Sequence, residues 1–482
     1  MDDHPYPSRL SRWIPLLAAI VALCASLWVW VELFRITVYR HNDLYYIDGE
    51  ANLLHLKGEG RWINYWLYPW LQAVPGRVAM LAIVAAFLFF CFSAARGWTR
   101  NRGHALLIAL LLTQAFPLYL QALWPSTSLA SLLILALAAC LHPYMGMLRF
   151  YLLFGVLFFG ALSHLYYLLP LLHLSRLEGS SARENLKRFV YGIVPLWAGG
   201  FVCGYWFMEA VVYSVTGQPG IELAAWRNPH YVHNLTDLWI NIGRSYQAFL
   251  FHLSSFLADW WRAPALLAAL VVRIVANDRG RWCSVAMVSS AVLAAHYIIL
   301  LPSGIAYQTR TALATWVGLL AAVLFPSRPK RGVWLALAPI IAFLTYSFAH
   351  QNRAALAWYG AVTDRWRVEL RSVSPLPPQQ YAGVILLSDD REVAESVQRI
   401  ASGLGLHQVK GMETLSRTGS WGPAARAAGF KQVILCSSDP STRCKDLLKE
   451  RYRQATPADD RLYQVLGTDN GFLLVALAAR SP

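Results

Sequence analysis

The chain has 482 residues, of which 56% are hydrophobic and 14% are charged, with 20 tryptophans and a formal net charge of +15. This composition excludes an ordinary soluble domain and indicates a protein with several membrane-spanning helices. The positive charge does not indicate nucleic-acid binding, because no compact basic cluster with interleaved aromatics occurs and basic residues of membrane proteins collect in cytoplasmic loops.

Apolar runs of about the length of a membrane span recur along the first 350 residues. They lie near 13–34, 78–95, 105–123, 127–141, 148–162, 164–174, 189–214, 255–275, 283–301, 308–325 and 332–349. If the N-terminus is cytoplasmic, the inner loops hold about three times the density of Lys and Arg of the outer loops, as the positive-inside rule requires. We therefore predict a polytopic α-helical membrane protein with about eleven transmembrane helices.

Two stretches fit this pattern less simply. Residues 148–174 are too few for two full spans, so we expect short tilted helices or a partly embedded hairpin. Residues 236–262 could be an extra span, which would reverse the side of every later loop. We favour an amphipathic helix at the outer interface, with its Trp and Arg residues at headgroup depth.

The composition changes after Ala349. We predict an interfacial helix and a Pro-rich linker over 351–380, and a periplasmic soluble α/β domain over 381–482. Within it, 381–387, 431–436, 463–466 and 472–479 are typical of strands, and 390–405 is typical of a helix. Cys436 and Cys444 are the two cysteines of this tail, and the sequence leaves open whether they form a disulfide or remain thiols.

The first outer loop of the transmembrane module 1–350, residues 35–77, carries the chemistry of most interest. Asp43, Asp48 and Glu50 lie close together, in a stretch rich in Tyr and Trp and ending in "GEGRW". A carboxylate here can act as a general base on an incoming hydroxyl, and the aromatic rings can stack on sugars. The alternatives are that the acids cap an interfacial helix or pair with bases, and that the rings form an interfacial belt.

The other outer loops supply basic and aromatic groups. Arginines there are candidates for gripping a lipid phosphate, or for simple snorkelling at a helix end. Glu209, in the outer third of the seventh run, is a functional candidate because of its depth, or a partner of an outer-loop arginine. The loop candidates are Arg227 and His230 in "WRNPHYVHN", Arg244 in the amphipathic helix, and Tyr307 and Arg310 in "GIAYQTRT".

A first span followed by a long acidic and aromatic outer loop resembles the GT-C superfamily of membrane glycosyltransferases. The chain looks most like the bacterial serotype-converting O-antigen glucosyltransferases, in layout over 13–350 and in motif over 43–62. It departs from their paired "DD", because here the pattern is "IDGE".

The resemblance implies Asp48 as the general base, with Glu50 assisting and Arg61 near the donor. It implies an inverting transfer of one sugar from a polyprenyl-phosphate donor in the bacterial inner membrane, with Arg310, Arg244, Arg227 and Arg61 binding the donor phosphate. The acceptor is a periplasmic glycan such as O-antigen, or a protein such as a pilin. The groups expected to contact the acceptor or sugar are Asp43, Tyr45, Tyr46, Trp62, His230 and Tyr307.

This mechanism requires no nucleotide and no nucleic acid, and no cofactor is certain. A divalent metal is compatible with it but is not required, and no metal-ligand spacing occurs in the C-terminal domain. Two other functions also use lipid-linked glycans. An O-antigen ligase or polymerase would carry a large arginine-rich late loop, and a transporter would show internal repeats and ionisable residues deep in several helices.

Overall fold

The computed structural model describes most of the chain. The described residues are 10–38, 56–99, 101–122, 125–177, 181–220, 228–275, 279–305, 311–324, 331–406, 418–437, 441–454 and 462–477.

Among the described residues up to 373, all regular secondary structure is helical. Helices α1 to α7 are Leu10–Arg35, Trp62–Ala73, Gly76–Thr99, Arg102–Ala115, Leu118–Gln121, Pro125–Leu141 and Met147–Phe159. A 3₁₀-helix, Ser163–Leu177, is followed by α8, Ala182–Lys187, by a π-helical segment, Arg188–Ile193, and by α9, Val194–Thr216. Helices α10 to α14 are Leu235–Phe256, Arg262–Val275, Arg279–Ile299, Leu313–Leu324 and Arg331–Val373.

The described part of the chain does not support eleven spans. By length and composition, four helical segments could cross a membrane: Trp13–Arg35, Gly76–Thr99, Arg183–Thr216 and Gly332–Val373. Four further apolar helices have only 10–17 residues, whereas a crossing takes about 20. The runs are shortened because α4 ends just before Pro117 and α7 begins after Gly146 and ends at Gly160, and apolar composition does not report such breaks. The class of helical membrane protein is confirmed.

The stretch 148–174 folds as the α-helix α7 followed by a 3₁₀-helix. Helix α7 ends at Phe159, and the 15-residue 3₁₀-helix Ser163–Leu177, with Pro170 inside, runs back through the interior. Most of its side chains are buried. A 3₁₀-helix of this length is uncommon, and it lets the short segment cross the interior because each residue rises about 2 Å rather than 1.5 Å.

Close helix packing at glycines joins α7 to α9. A Cβ on Gly155 would fall on the carbonyl of Gly200, and a Cβ on Gly200 would fall on the carbonyl of Tyr151. Gly204 lies equally close to Gly155. Gly200 and Gly204 are four residues apart, the small-residue spacing that lets helices approach closely in membranes, where packing rather than water drives association.

Three helices, α1, α4 and α14, run side by side in the same direction. Along α1 and α14, Trp28 stacks on Tyr346 with ring centroids 6.5 Å apart, and Glu32 lies 3.5 Å from the Arg353 Nε. We call the end of the bundle at which α1 ends the upper end, and the opposite end the lower end. Because α14 has 43 residues, about 65 Å of helix, it continues upward beyond a bilayer core of about 30 Å.

The predicted inner and outer loops separate between these two ends. At the lower end, His104 stacks on Trp334 at 3.6 Å, and a Cβ on Gly97 would meet Ser175. At the upper end, Ile63 N donates to Gly160 O at 2.9 Å. Asn352 Nδ2 donates to the carbonyl of Phe116, the residue that follows α4, at 3.2 Å. Each of these contacts joins two segments that were predicted to lie toward the same side.

The C-terminal part contains the predicted sheet. Its strands are β1, Gly383–Leu386; β2, Val433–Leu435; β3, Tyr463–Asp469; and β4, Phe472–Leu477, in the order β2-β1-β4-β3. β1 is parallel to β2 and β4, and β3 is antiparallel to β4. The helices of this part are α15, Asp390–Gly403; α16, Trp421–Ala428; and α17, Thr442–Gln454. The predicted strands and the predicted helix after Asp389, which forms a capping box with Glu392, are confirmed.

The sheet does not form a domain separate from the bundle, because one of its faces packs against α14. Residues 351–373, predicted as an interfacial helix, are the unbroken second half of α14, and the core of the sheet is continuous with that of the bundle. Tyr463 OH accepts from Trp421 Nε1 at 2.7 Å and donates to Trp366 O of α14 at 3.1 Å, and burial raises the pKa of this tyrosine above its ordinary range. The boundary at 381 was predicted from composition, which does not register this docking.

Cys436 and Cys444 form a disulfide, so the alternative left open by the sequence is resolved. Both residues are buried in a second small apolar cluster on the other face of the sheet, with Ile385 and Leu474.

Candidate functional site

The structure describes four of the predicted site residues: Arg61, Trp62, His230 and Arg244. The remaining ones lie outside the described residues. They are Asp43, Tyr45, Tyr46, Asp48, Glu50, Arg227, Tyr307 and Arg310.

Arg61 and Trp62 lie at the upper end, where the first outer loop enters α2. Arg61 Nε is 3.2 Å from Glu59 Oε2, and the ring of Trp62 packs edge-on against Phe207 of α9 at 5.8 Å. Gly60 has a φ of +77° and lies so close to Met208 that a Cβ would clash with it. The end of the first loop is therefore fixed against α9, and Arg61 is paired with an acid.

A pair of segments, 228–232 and 300–305, forms the second part of the upper end. Their backbones are bonded directly: His230 N donates to Ser303 O at 2.8 Å, and Val232 N donates to Pro302 O at 3.0 Å. We refer to them as the paired loops. They lead directly into the two stretches that carry Arg227, Tyr307 and Arg310.

Asn241 and Arg244 of α10 tie the paired loops together. Asn241 is fully buried, and its Nδ2 donates to His230 O and to Leu301 O, each at 2.8 Å. Arg244 Nη1 donates to Asn228 O at 3.1 Å and to Gly304 O at 3.0 Å. Because both side chains bridge the same two loops from one turn of helix, α10 sets the position of the loops.

His230 lies beside an acid. Its Nδ1 is 3.2 Å from Asn241 Oδ1, and its Nε2 is 3.7 Å from Asp237 Oδ1. Asp237 is held in turn by the backbone N–H of His233, which donates to Oδ2 at 2.9 Å. The structure thus brings His230 and Arg244 together, while Arg61 and Trp62 contact α9 instead.

An open apolar groove of about 340 Å³ runs between α10 and α12, below the paired loops. The residues that line it are Ile242, Ser245, Tyr246, Phe249, Leu293, Ala294, Tyr297, Ile298 and Leu301. Ile242 follows Asn241 in the chain, and the carbonyl of Leu301 accepts a hydrogen bond from Asn241. We call the end of the groove at Ile242 and Leu301, next to Asn241, its mouth.

Helix α10 itself has a polar buried face and an apolar exposed face. Asn241, Ser245 and His252 are buried, whereas Trp239 is 71% exposed and Tyr246 is 62% exposed. This arrangement is expected for a helix that faces lipid, because intramembrane polar groups turn toward the protein interior. The predicted helix is confirmed, but Arg244 bonds loop carbonyls and does not extend outward from the helix.

Glu209 of α9 accepts a hydrogen bond from the backbone of Gly220 at 3.0 Å. Gly220 is the last described residue before the stretch that contains Arg227. Glu209, a functional candidate because of its depth in the span, therefore holds the segment that leads toward the paired loops.

Two buried polar networks at the upper end were not predicted. His252 Nδ1 lies 2.8 Å from the hydroxyl of Tyr297, which accepts from Thr315 at 3.1 Å. Arg262, 1% exposed, bonds Ser347 and Gln351 and lies 3.9 Å from the centroid of the ring of Phe348. His252 and Arg262 both lie in the stretch 236–262, for which we predicted an amphipathic helix at the outer interface with its Arg residues at headgroup depth.

Among the described residues, no group of three or more His, Cys, Asp or Glu side chains could hold a metal ion. The chemistry that these residues offer is therefore hydrogen bonding, cationic charge and proton transfer at His230.

No protein-family model matches this chain, and we found neither a curated protein nor a solved structure that is similar to it. The resemblance over 43–62 thus rests on the sequence pattern.

Proposed function

We propose that this protein is a membrane glycosyltransferase of the GT-C type. It transfers a single sugar, with inversion, from a polyprenyl-phosphate donor to an acceptor hydroxyl on a surface glycan or a protein. The first outer loop supplies the general base, and the mouth of the groove binds the phosphate end of the donor.

The observation that carries this proposal is the apolar groove with a polar mouth. A polyprenyl-phosphate sugar is an amphiphile with a long apolar tail and a charged head. The α10–α12 groove is lined mainly by apolar side chains, and its lining residues Ile242 and Leu301 adjoin Asn241, which contacts His230. The apolar tail of the donor would lie in the groove, and its charged head would lie at the mouth.

In the proposed reaction, Asp48 takes the proton of the acceptor hydroxyl as its oxygen attacks the anomeric carbon, and Glu50 assists. Arg227 and Arg310 belong to the stretches continued from the paired loops, so their charges would stabilise the departing phosphate. Arg244 adds positive charge at the mouth while it holds the loops. Trp62 offers an aromatic surface for the sugar.

We propose that the upper end faces the periplasm of a bacterial inner membrane. Three observations support this orientation. Basic residues are concentrated in the loops predicted to be cytoplasmic, the tail contains a disulfide, which is typical of oxidising compartments, and the tail extends from the end of the bundle at which α1 ends.

The test is mass spectrometry of the surface glycans and pilins of cells that carry the wild type, Asp48→Asn or Asp446→Asn. Asp446 is an exposed acid of the tail and serves as a matched control. We expect a single hexose or pentose to be lost from one glycan or protein in Asp48→Asn and retained with Asp446→Asn. Loss of a whole polysaccharide would indicate a ligase or polymerase, and accumulation of unused donor would indicate a transporter.

A further inference from the structure

Helix α2 lies across the upper end of the bundle. Its first turn is tied there, because Ile63 N donates to the carbonyl of Gly160, the residue that ends α7. Helix α3 begins after a short turn, and Arg77 at its start donates from Nε to Ile36 O, just beyond α1, at 3.3 Å. Both ends of this 12-residue helix, about 18 Å long, are therefore at the upper end, so its axis runs close to the plane of the membrane.

The two faces of α2 differ in exposure. Asn64 and Tyr68 are buried, and the helix packs on α6. Trp66 and Trp70 are 64% and 74% exposed, and Leu67 beside them is also exposed. A helix face in water normally carries charged side chains, but no Asp, Glu, Lys or Arg occurs anywhere in α2. Its exposed face is therefore a continuous apolar and aromatic surface.

This surface continues the lipid-facing surface of α9. The ring of Trp62 packs edge-on against Phe207 of α9 at 5.8 Å and against Trp66 at 5.2 Å. Phe207 and its neighbour Trp206 are exposed, and they belong to a helical segment that is long and apolar enough to cross the membrane. Exposed aromatic rings on such a segment face lipid, so the row of tryptophans on α2 starts at the lipid boundary.

We propose that α2 is embedded in the membrane interface at the upper end, with Trp66, Leu67 and Trp70 among the lipid headgroups and the first acyl carbons. The partner of this surface is the bilayer itself. Tryptophan favours this depth because its ring is apolar and its Nε1–H bonds a headgroup. An apolar helix face that lies parallel to the membrane inserts to the same depth. Lys57 Nζ, 4.0 Å from the centroid of the Tyr65 ring, adds a positive charge near the start of the helix, which suits anionic headgroups.

The embedding sets the depth of the end of the first outer loop. Gly60 packs closely on Met208 of α9, and Arg61 and Trp62 follow it directly. A segment held by α9 on one side and by the interface on the other keeps these two side chains level with the lipid headgroups. A charged group carried by a lipid at the upper end would lie at the same depth.

The experiment measures the depth of α2 with a fluorescent probe. The protein has its five cysteines outside the disulfide replaced by serine. Trp66→Cys and Trp70→Cys are labelled with a nitrobenzoxadiazole reagent and reconstituted in vesicles of phosphatidylethanolamine and phosphatidylglycerol. We expect both probes to lose most of their fluorescence to lipids that are spin-labelled at the headgroup or the first acyl carbons. Lipids labelled at the chain end should quench them less, and aqueous iodide should quench them little.

Two further positions calibrate the depth. Phe89 is exposed and lies thirteen residues after Gly76, the first residue of α3, which is about 20 Å of helix. The probe on Phe89→Cys should therefore be quenched most by the chain-end label. Ser372 is exposed near the end of α14, and the probe on Ser372→Cys should be quenched by iodide alone.

The outcomes distinguish the possible occupants of this face. Strong quenching of both α2 probes by iodide, with none by the lipid labels, would place the face in water and overturn the proposal. Shielding from both quenchers, together with disulfide-linked dimers of Trp70→Cys, would place a second copy of the chain there and overturn it as well. If either variant does not fold, Leu67→Cys reports on the same face. Because no sugar transfer is measured, the result is independent of the proposed function.

Discussion

At the scale of single residues, the upper end depends on Asn241. It is a fully buried polar side chain that satisfies two backbone carbonyls and orients one imidazole. Leaving such carbonyls without a partner costs about 1–3 kcal/mol each. Its amide also lies against Gly304, at which the chain has a φ of +52° and a Cβ would fall on Asn241.

Gly304→Ala should therefore destabilise the paired loops. An L-residue in the left-handed region costs about 1–2 kcal/mol, and the methyl group would displace Asn241 as well. We expect a lower melting temperature in detergent and a lower transfer rate. The matched control is Gly243→Ala on the open side of α10, where a Cβ meets nothing within 4 Å; a loss of stability equal to that of Gly304→Ala would contradict the account.

Sequence reasoning identified His230 and Arg244 because they are charged or titratable residues of outer segments. It could not identify Asn241 or Gly304, since one amide in an amphipathic helix and one glycine in a loop carry no signal until the fold places them together. The roles of Asp48 and Glu50 remain predictions, because both lie outside the described residues.

At the scale of elements, composition located the apolar segments correctly, but it did not predict the lengths of the helices that they form. The stretches near 13–34, 78–95 and 332–349 each fall within a long helix. The run at 164–174 became a 3₁₀-helix, and the run at 255–275 became α11 of only 14 residues. Hydropathy measures the solvent that a segment prefers, while local breaks and packing decide how far one helix extends.

The α7–α9 contact offers a sharp test of the packing. Gly200→Ala should destabilise the bundle by about 1–3 kcal/mol, the usual cost of overpacking, because the added methyl group would fall on the carbonyl of Tyr151 and the hydroxyl of Tyr166. Gly199→Ala, one residue earlier, meets nothing within 4 Å. Thermal unfolding in detergent should separate the two variants, and equal melting temperatures would refute the close approach.

At the scale of the whole molecule, the parallel course of α1 and α14 has a consequence for topology. Whatever the number of spans, the end of α1 and the tail lie at the same end of the bundle. The contacts between the two helices continue from Trp28–Tyr346 to Glu32–Arg353, and Thr37, just after α1, bonds Asp364. The end of α1 and the sheet therefore lie toward the same end of the bundle.

Sided labelling with a membrane-impermeant thiol reagent tests this arrangement in intact cells with a permeable outer membrane. In a protein whose five cysteines outside the disulfide are replaced by serine, Ser372→Cys should be labelled from the periplasm. Tyr144→Cys, at a lower-end residue that is 86% exposed, should be labelled only after the inner membrane is opened. The reverse pattern would place the proposed site in the cytoplasm.

The most direct measurement of the central claim is donor turnover by the purified protein in lipid vesicles, with a polyprenyl-phosphate sugar and the acceptor found in cells. The account predicts that free polyprenyl phosphate and glycosylated acceptor form in equal amounts with the wild type, and that Asp48→Asn forms neither. Movement of the intact donor across the vesicle membrane without its consumption, or full turnover by Asp48→Asn, would contradict it.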